Sequence, residues 1–289
     1  MAMLSGLSSA LAGAPGAHAQ ETVDTGMAID AGAAIKVWNG GGAVRVEGWA
    51  ADSIHVTGEV EIGEFFLLGA DQAAKLGLQG PERDVRARLT VRVPASASVW
   101  IRTAGAEATV RDMEGSLDVH TVAGAIDVEG RPADLYAESM GGDVRLVVET
   151  GVVRARTGTG RLTLEGTVED LTLSTVSGSL EARVPDLRRG SMSSVDGDVR
   201  FAGSVRRGGS LTLETHSGDA GLRVPGDLAA DVELSTFEGR IRAPLGGAVR
   251  APSVRTEGEG ATVARFELEG GGAEVTVRSY SGSIEAVAD

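Results

Sequence analysis

The residues of this 289-residue chain that could do chemistry are three of its four histidines, His18 falling in a segment read below as a signal peptide, columns of carboxylates and arginines, and a glycine that recurs at near-constant spacing. His55, His120 and His216 fall in separate strand-like segments, and none has a second ligand at the spacing a zinc or transition-metal site needs. The chain has no cysteine, which excludes thiolate metal sites, thiol catalysis, disulfides and a lipid-modified cysteine. No nucleophile elbow, zincin helix, phosphate-binding loop or dinucleotide fingerprint occurs. The triple glycines at 40–42 and 270–272 precede strands rather than helices. The expectation is therefore no catalytic, cofactor-binding or metal-binding residues, and no cofactor.

Charged residues recur in register instead. One outward column reads Asp127, Arg145, Thr163, Glu181, Arg200, Gly221 and Arg242, and the column before it reads Ala125, Asp143, Arg161, Ser179, Asp198, Asp219 and Arg240. Opposite signs meet on neighbouring repeats, as in Asp127 with Arg145, Asp143 with Arg161 and Glu181 with Arg200. Such pairs pin the register of a solvated sheet, each worth at most about 1 kcal/mol. An active site would gather two or three carboxylates under a long loop, whereas the turns here are short. The chain is accordingly read as not an enzyme, with a β-helix carbohydrate-active enzyme ranked last among the readings. The nine-residue glycine-aspartate repeat that cradles calcium in β-rolls is not reproduced.

The elements that carry these columns follow from the repeat. A motif of Ser or Thr, two variable residues, Gly, one variable residue, then alternating aliphatics recurs as TVAGAIDV (121–128), SMGGDVRL (139–146), TGTGRLTL (157–164), TVSGSLEA (175–182), SVDGDVRF (194–201), THSGDAGL (215–222), TFEGRIRA (236–243) and SYSGSIEA (279–286). Its glycines are Gly124, Gly142, Gly160, Gly178, Gly197, Gly218, Gly239 and Gly282, with degenerate copies at Ala106 and Gly260. Eighteen residues suffice for two strands of about five residues and two turns. Glycine suits the turn because it reaches positive φ without a Cβ penalty.

This pattern predicts an all-β fold: a parallel β-solenoid, single-stranded and β-helix-like, with coils of 18 to 22 residues that widen toward the C-terminus. Ile126, Val144, Leu162, Leu180, Val199, Ala220, Ile241 and Ile284 would stack as one inward ladder, faced by Leu135, Val153, Leu171, Leu211 and Val232. The competing fold is a sandwich of antiparallel hairpins. The last motif ends three residues before the C-terminus, so an uncapped final coil is expected.

Three regions are expected. Residues 1–19 read as a signal peptide, with an apolar run from Met1 to Leu11 and an Ala-x-Ala ending at Ala17, His18 and Ala19. No Lys or Arg precedes that run, which a start codon placed too late would explain. Residues 20–98 read as a short N-terminal β region with a helix or ordered insertion near 65–80, where FFLLGADQAAKLGLQG has a helix-tolerant order. Residues 99–289 read as the repeat solenoid. The net charge of −14 excludes nucleic acid as a partner and disfavours anionic lipid, and no segment reaches the length of an integral membrane span.

The run LTVRVPASASVWIRTAGAEATVRDMEGSLDVHTVAGAIDVEG (89–130) has a strand ending in Val93-Pro94, a second alternating strand, then repeated Gly-x-aliphatic-x-Val units. It resembles the bacterial putative-adhesin family of β-strand-repeat proteins, a domain of unknown function. The resemblance implies export to the periplasm, outer surface or medium and brings no catalytic residues. The function expected is a non-catalytic, adhesin-like binding module for an envelope or surface component, protein or polysaccharide. The alternative is a structural scaffold that self-associates end to end. Among the few aromatics, Tyr136 is expected to point outward, with no aromatic partner on adjacent coils, as a candidate sugar-stacking or surface residue.

Overall fold

The computed structural model describes residues 21–80, 85–245, 253–257 (backbone alone) and 261–289. The proposed signal peptide and Gly260 lie outside the described residues. The fold is all-β and β-solenoid-like, and in its middle the strands pair in parallel at the offsets of the repeat. Ile126 pairs with Val144, Val144 with Leu162 and Leu162 with Leu180, each 18 residues on. Leu180 then pairs with Val199, and Val199 with Ala220. These are parallel ladders, not the antiparallel hairpins of a sandwich.

Alternation decides which side chains go inward. In Val144–Thr157 the residues Val144, Leu146, Val148, Val153 and Ala155 are buried, while Arg145, Glu149, Arg154 and Arg156 are exposed. Each buried Val or Leu contributes roughly 1.5–3 kcal/mol, and stacking makes the ladder continuous, which a single coil could not do for itself. Where the offset grows beyond 18, the added residues bulge at the corner between Val184 and Arg189. There Leu187 turns inward and fills the space over Gly190 in the opposing wall.

At both ends the spatial order departs from the sequence order. The strand Ala34–Asn39 lies between Ala73–Gln79 and Ser98–Thr103, and Gly41–Trp49 lies between Arg86–Pro94 and Glu107–Arg111. The stack therefore includes residues on both sides of the boundary expected near 98. At the other end Ala273–Ser279 pairs in parallel with both Val199–Thr215 and Ala230–Thr236. Ile284–Ala288 likewise lies between Ala220–Val224 and Ile241–Arg242. The last repeat in sequence is thus an internal coil, and the expected steady widening to 22 residues does not describe the stack.

This order corrects the expectation of an uncapped final coil. The outermost strand of that wall, Ala230–Thr236, is covered by antiparallel Ala261–Leu268, which is in turn covered by Ser253–Glu257. At the N-terminal end Ser53–Ile62 runs antiparallel to Arg86–Pro94, and Glu21–Ala28 runs antiparallel to Ser53–Ile62. The helix considered near 65–80 is also corrected: Glu64–Ala70 and Ala73–Gln79 form an antiparallel hairpin. Its inward residues Ala74, Leu76 and Leu78 alternate, and parallel pairing with Ala34–Asn39 outweighs the helix propensity of the segment.

Candidate functional site

Each repeat glycine sits at one corner of its coil, and its amide donates to the Ser or Thr three residues earlier. In all eight the N–H to Oγ distance is 2.8–3.2 Å. Most of those hydroxyls donate onward to a glycine carbonyl on the neighbouring coil, as in Ser139 to Gly124 O at 3.1 Å and Thr215 to Gly197 O at 2.9 Å. The chain of hydroxyls records the non-sequential order as well: Ser279 donates to Gly218 O at 3.1 Å and Thr236 to Gly282 O at 3.0 Å. Among the described residues the buried polar side chains are Asn39 and nine such Ser and Thr residues, from Thr103 to Ser279. Both lone-pair and proton needs of the hydroxyl are met, so the column costs little to bury.

The reason for glycine differs from the expected one. None of the eight has positive φ. A Cβ on Gly142, Gly160, Gly178, Gly197, Gly218, Gly239 or Gly282 would instead fall on the carbonyl oxygen of the glycine stacked beneath it, well inside the 3.0 Å floor of real Cβ contacts. Gly124 meets the Ala106 carbonyl in the same way. Close backbone stacking, not a left-handed turn, demands the residue.

This tight corner turns the residue after each Ser or Thr outward. The residues so placed are Ala104, Val122, Met140, Gly158, Val176, Val195, His216, Tyr280 and Phe237, joined coil to coil by backbone hydrogen bonds such as Val195 N to Val176 O at 3.2 Å and Phe237 N to Tyr280 O at 3.0 Å. At about 4.8 Å per coil this line runs roughly 40 Å. Eight large hydrophobic side chains are exposed among the described residues, and six of them stand on it, Met140 at 64% and Tyr280 at 46% among them. Exposed hydrophobics scattered singly need no explanation, whereas six of eight on one line, broken at Gly158, are a concentration.

At the C-terminal end the line becomes aromatic. The His216 and Tyr280 rings stack at 4.8 Å and 13°, and those of Tyr280 and Phe237 at 5.1 Å and 11°. Beside them opens a groove of about 460 Å³, with Ser193, Ser235, Glu214 and Arg278 along its other side. Arg278 and Glu214 lie 3.5 Å apart as a pair. The stack exists only because Ala273–Ser279 inserts between its neighbours and carries Tyr280 between His216 and Phe237.

The sequence matches the family model Toastrack DUF4097 over residues 52–286. The chain belongs to this family. A solved Parabacteroides distasonis protein described as a putative lipid binding protein is similar over 92% of this chain and 96% of that one, at 10% identity and a TM-score of 0.53. Two solved proteins described as putative adhesins, from Bacteroides fragilis and Parabacteroides merdae, align over 92% of this chain and 97% and 96% of theirs, at 11% and 13% identity and TM-scores of 0.46 and 0.33. No curated protein matches.

Charged groups of the Toastrack chain pair both across neighbouring coils and within single coils. Asp127 meets Arg145 at 3.2 Å, as expected, and Arg111 at 3.0 Å. Asp143 takes the backbone N–H of Arg161 at 2.8 Å instead of its guanidinium, and Asp198 and Asp219 accept from the amides of Asp219 and Ser283 in the same way. Glu181 pairs with Arg183 and Arg200 with Asp198, each within its own coil. Asp170 receives Arg189 and Arg188, and the Arg189 hydrogen bond leads in holding its carboxyl below the usual range. Among the described residues no group of three or more His, Asp or Glu is disposed to hold a metal ion.

Tyr136 does have an aromatic neighbour, contrary to expectation: His120 on the adjacent coil, with centroids 4.9 Å apart. Its phenol donates to Glu138 at 2.7 Å, and burial leads that bond in pushing its pKa up. His120 in turn lies 2.8 Å from Asp118 and 3.4 Å from Glu138. Sequence reasoning missed the aromatic stack, although its signal was present. Aligning the eight motif copies puts Val, Met, Gly, Val, Val, His, Phe and Tyr in the position after Ser or Thr, where a solvated turn would be polar.

Proposed function

We propose that this Toastrack protein is an exported, non-catalytic, adhesin-like binding module that meets an envelope or surface component through the apolar corner line and its aromatic end. We read the parallel ladders as one β-solenoid, whose coils repeat the same exposed position and so turn a single side-chain preference into an extended binding surface. The observation that carries the proposal is the concentration of exposed hydrophobic side chains on one line ending at the His216, Tyr280 and Phe237 stack. Surface of this kind, broken at Gly158 between Met140 and Val176, is kept exposed for contact. Residues 1–19 supply the export signal, and the eight repeat glycines serve as the structural turn that holds the line straight.

The test is saturable co-sedimentation of the full-length chain with purified envelope fragments of the bacterium that encodes it. Wild type is expected to bind and Val176→Asp to lose most of that binding while melting at the same temperature. No saturable binding, or equal binding by Val176→Asp, would refute the proposal. Export is checked by mass spectrometry of the envelope fraction, where a mature chain starting at Gln20 is expected and one retaining residues 1–19 would count against the signal.

A further inference from the structure

We propose that the groove beside His216, Tyr280 and Phe237 takes a neutral, linear polysaccharide, whose continuation lies along the corner line. This rests on the binding-module reading above and names its ligand class. Sugars are amphipathic, with C–H faces that pack on apolar and aromatic surface and hydroxyls that need hydrogen-bonding neighbours, and the site offers both in register. Its apolar element is the ring stack, with Tyr280 46% and Phe237 38% exposed. Its polar element is a pair of hydroxyl-rich flanks. Ser193 and Ser235 lie in the groove. Ser217 and Ser281 lie on the other side of the line, with Ser217 donating to Asp196 at 2.6 Å and so presenting its oxygen as an acceptor.

Charge selects among polymers. The groove's carboxylate and guanidinium, Glu214 and Arg278, neutralise one another at 3.5 Å. Among the described residues that line it, an anionic polymer would find no spare guanidinium and would face a chain of net charge −14; a cationic one would find Glu214 already paired. A neutral chain meets no opposing field. Shape selects too: the corner line is convex and open, so it cannot wrap and dry an acyl chain, whereas a stiff glycan needs only one face covered. The volume of the groove is within the range of small-ligand sites, so it holds a short segment. The exposed stations along the line repeat at about 4.8 Å, close to the advance of one pyranose ring in an extended β-linked chain.

The experiment is calorimetric titration of the full-length chain with cellobiose, cellotetraose, cellohexaose and chitohexaose, with polygalacturonate and phosphatidylcholine vesicles as comparison probes. Affinity is expected to rise with oligomer length at millimolar to micromolar concentration. Tyr280→Ala and Phe237→Ala should each weaken the hexamer by about tenfold, the scale of one lost anchor contact. Val176→Ser should weaken the hexamer and leave cellobiose unchanged, which distinguishes a chain laid along the line from a sugar held in the groove alone. Both aromatic residues are surface-exposed, and Tyr280→His, which keeps a ring, should retain binding if Tyr280→Ala perturbs the fold. Failure of every neutral oligomer, indifference to Tyr280→Ala, or preference for polygalacturonate or vesicles overturns the inference. If envelope fragments still bind and Val176→Asp abolishes it while no neutral oligomer competes, the ligand class is wrong and the binding module stands. Absence of envelope binding sinks both.

Discussion

Replacing Gly178 by alanine tests the physical reason for the repeat glycine. The new Cβ would fall on the carbonyl oxygen of Gly160 and crowd Thr175 Oγ, both inside or at the 3.0 Å floor of real contacts. The atom in the way is backbone, so relief requires the two coils to part by about 1 Å, which forfeits a quarter to a half of the dispersion energy of each contact along the ladder. The stretch also loosens the Thr175 Oγ to Gly158 O bond of 3.3 Å, which crosses between the coils. Overpacking costs about 1–3 kcal/mol and the weakened hydrogen bond about 1 more, giving roughly 3 kcal/mol in all. For a chain of this size that lowers Tm by about 6–12 °C. The control is Gly151→Ala, an exposed site with no atom within 4 Å of the added carbon and no positive φ, where the change should be neutral or slightly stabilising. Circular dichroism melts of both variants decide it. Equal melting temperatures would refute close backbone stacking as the reason for glycine.

Other consequences follow from the same contacts. Thr215→Val keeps the shape but removes the acceptor of Gly218 N and the donor to Gly197 O, so it should cost about 1–3 kcal/mol in denaturant titration, while Thr215→Ser should cost less than half as much. Asp170 has its carboxyl pKa lowered by Arg189 and Arg188, so its contribution is present above the unfolded carboxyl value of about 3.9 and is lost as pH falls through the lower folded value. The Tm gap between wild type and Asp170→Asn should therefore be open at pH 7 and close at low pH; a gap independent of pH would contradict the pairing. Met140→Asp, at an exposed station of the corner line, should leave the melt within about 0.5 kcal/mol of wild type and reduce envelope binding.

The middle of the fold was legible because its inward residues repeat at the ladder offset, so Ile126, Val144, Leu162 and Leu180 could be assigned as neighbours from spacing alone. The ends were not legible for the same reason. Coils built to one pattern are interchangeable as partners, and nothing in THSG, TFEG and SYSG says that the third stacks between the first two. Only the pairing of Ala273–Ser279 with strands on both sides decides that order. The hairpin at 64–79 was obscured because Ala, Lys, Leu and Gln satisfy helix propensity, while the alternation of Ala74, Leu76 and Leu78 that wins is short. The proposed binding surface was overlooked because Tyr280 lies far in sequence from Phe237 and His216. They become one stack only through the non-sequential order, whereas Tyr136, chosen from sequence, is held in a polar network with His120 and Glu138.

That order is the claim on which the aromatic site depends, and the cysteine-free sequence makes it directly measurable. Thr212 pairs with Thr276 across adjacent parallel strands, and Thr276 pairs with Glu233 on its other side. All three side chains face outward. Adjacent strands lie about 4.8 Å apart, within the span of a disulfide, whereas strands two coils apart lie at about 9.6 Å, beyond it. The double variant Thr212→Cys/Thr276→Cys is therefore expected to oxidise to an intramolecular disulfide under mild oxidant, and Thr212→Cys/Glu233→Cys to remain reduced. The opposite result, a bond between positions 212 and 233 and none between 212 and 276, would place the repeats in sequence order and dismantle the aromatic stack.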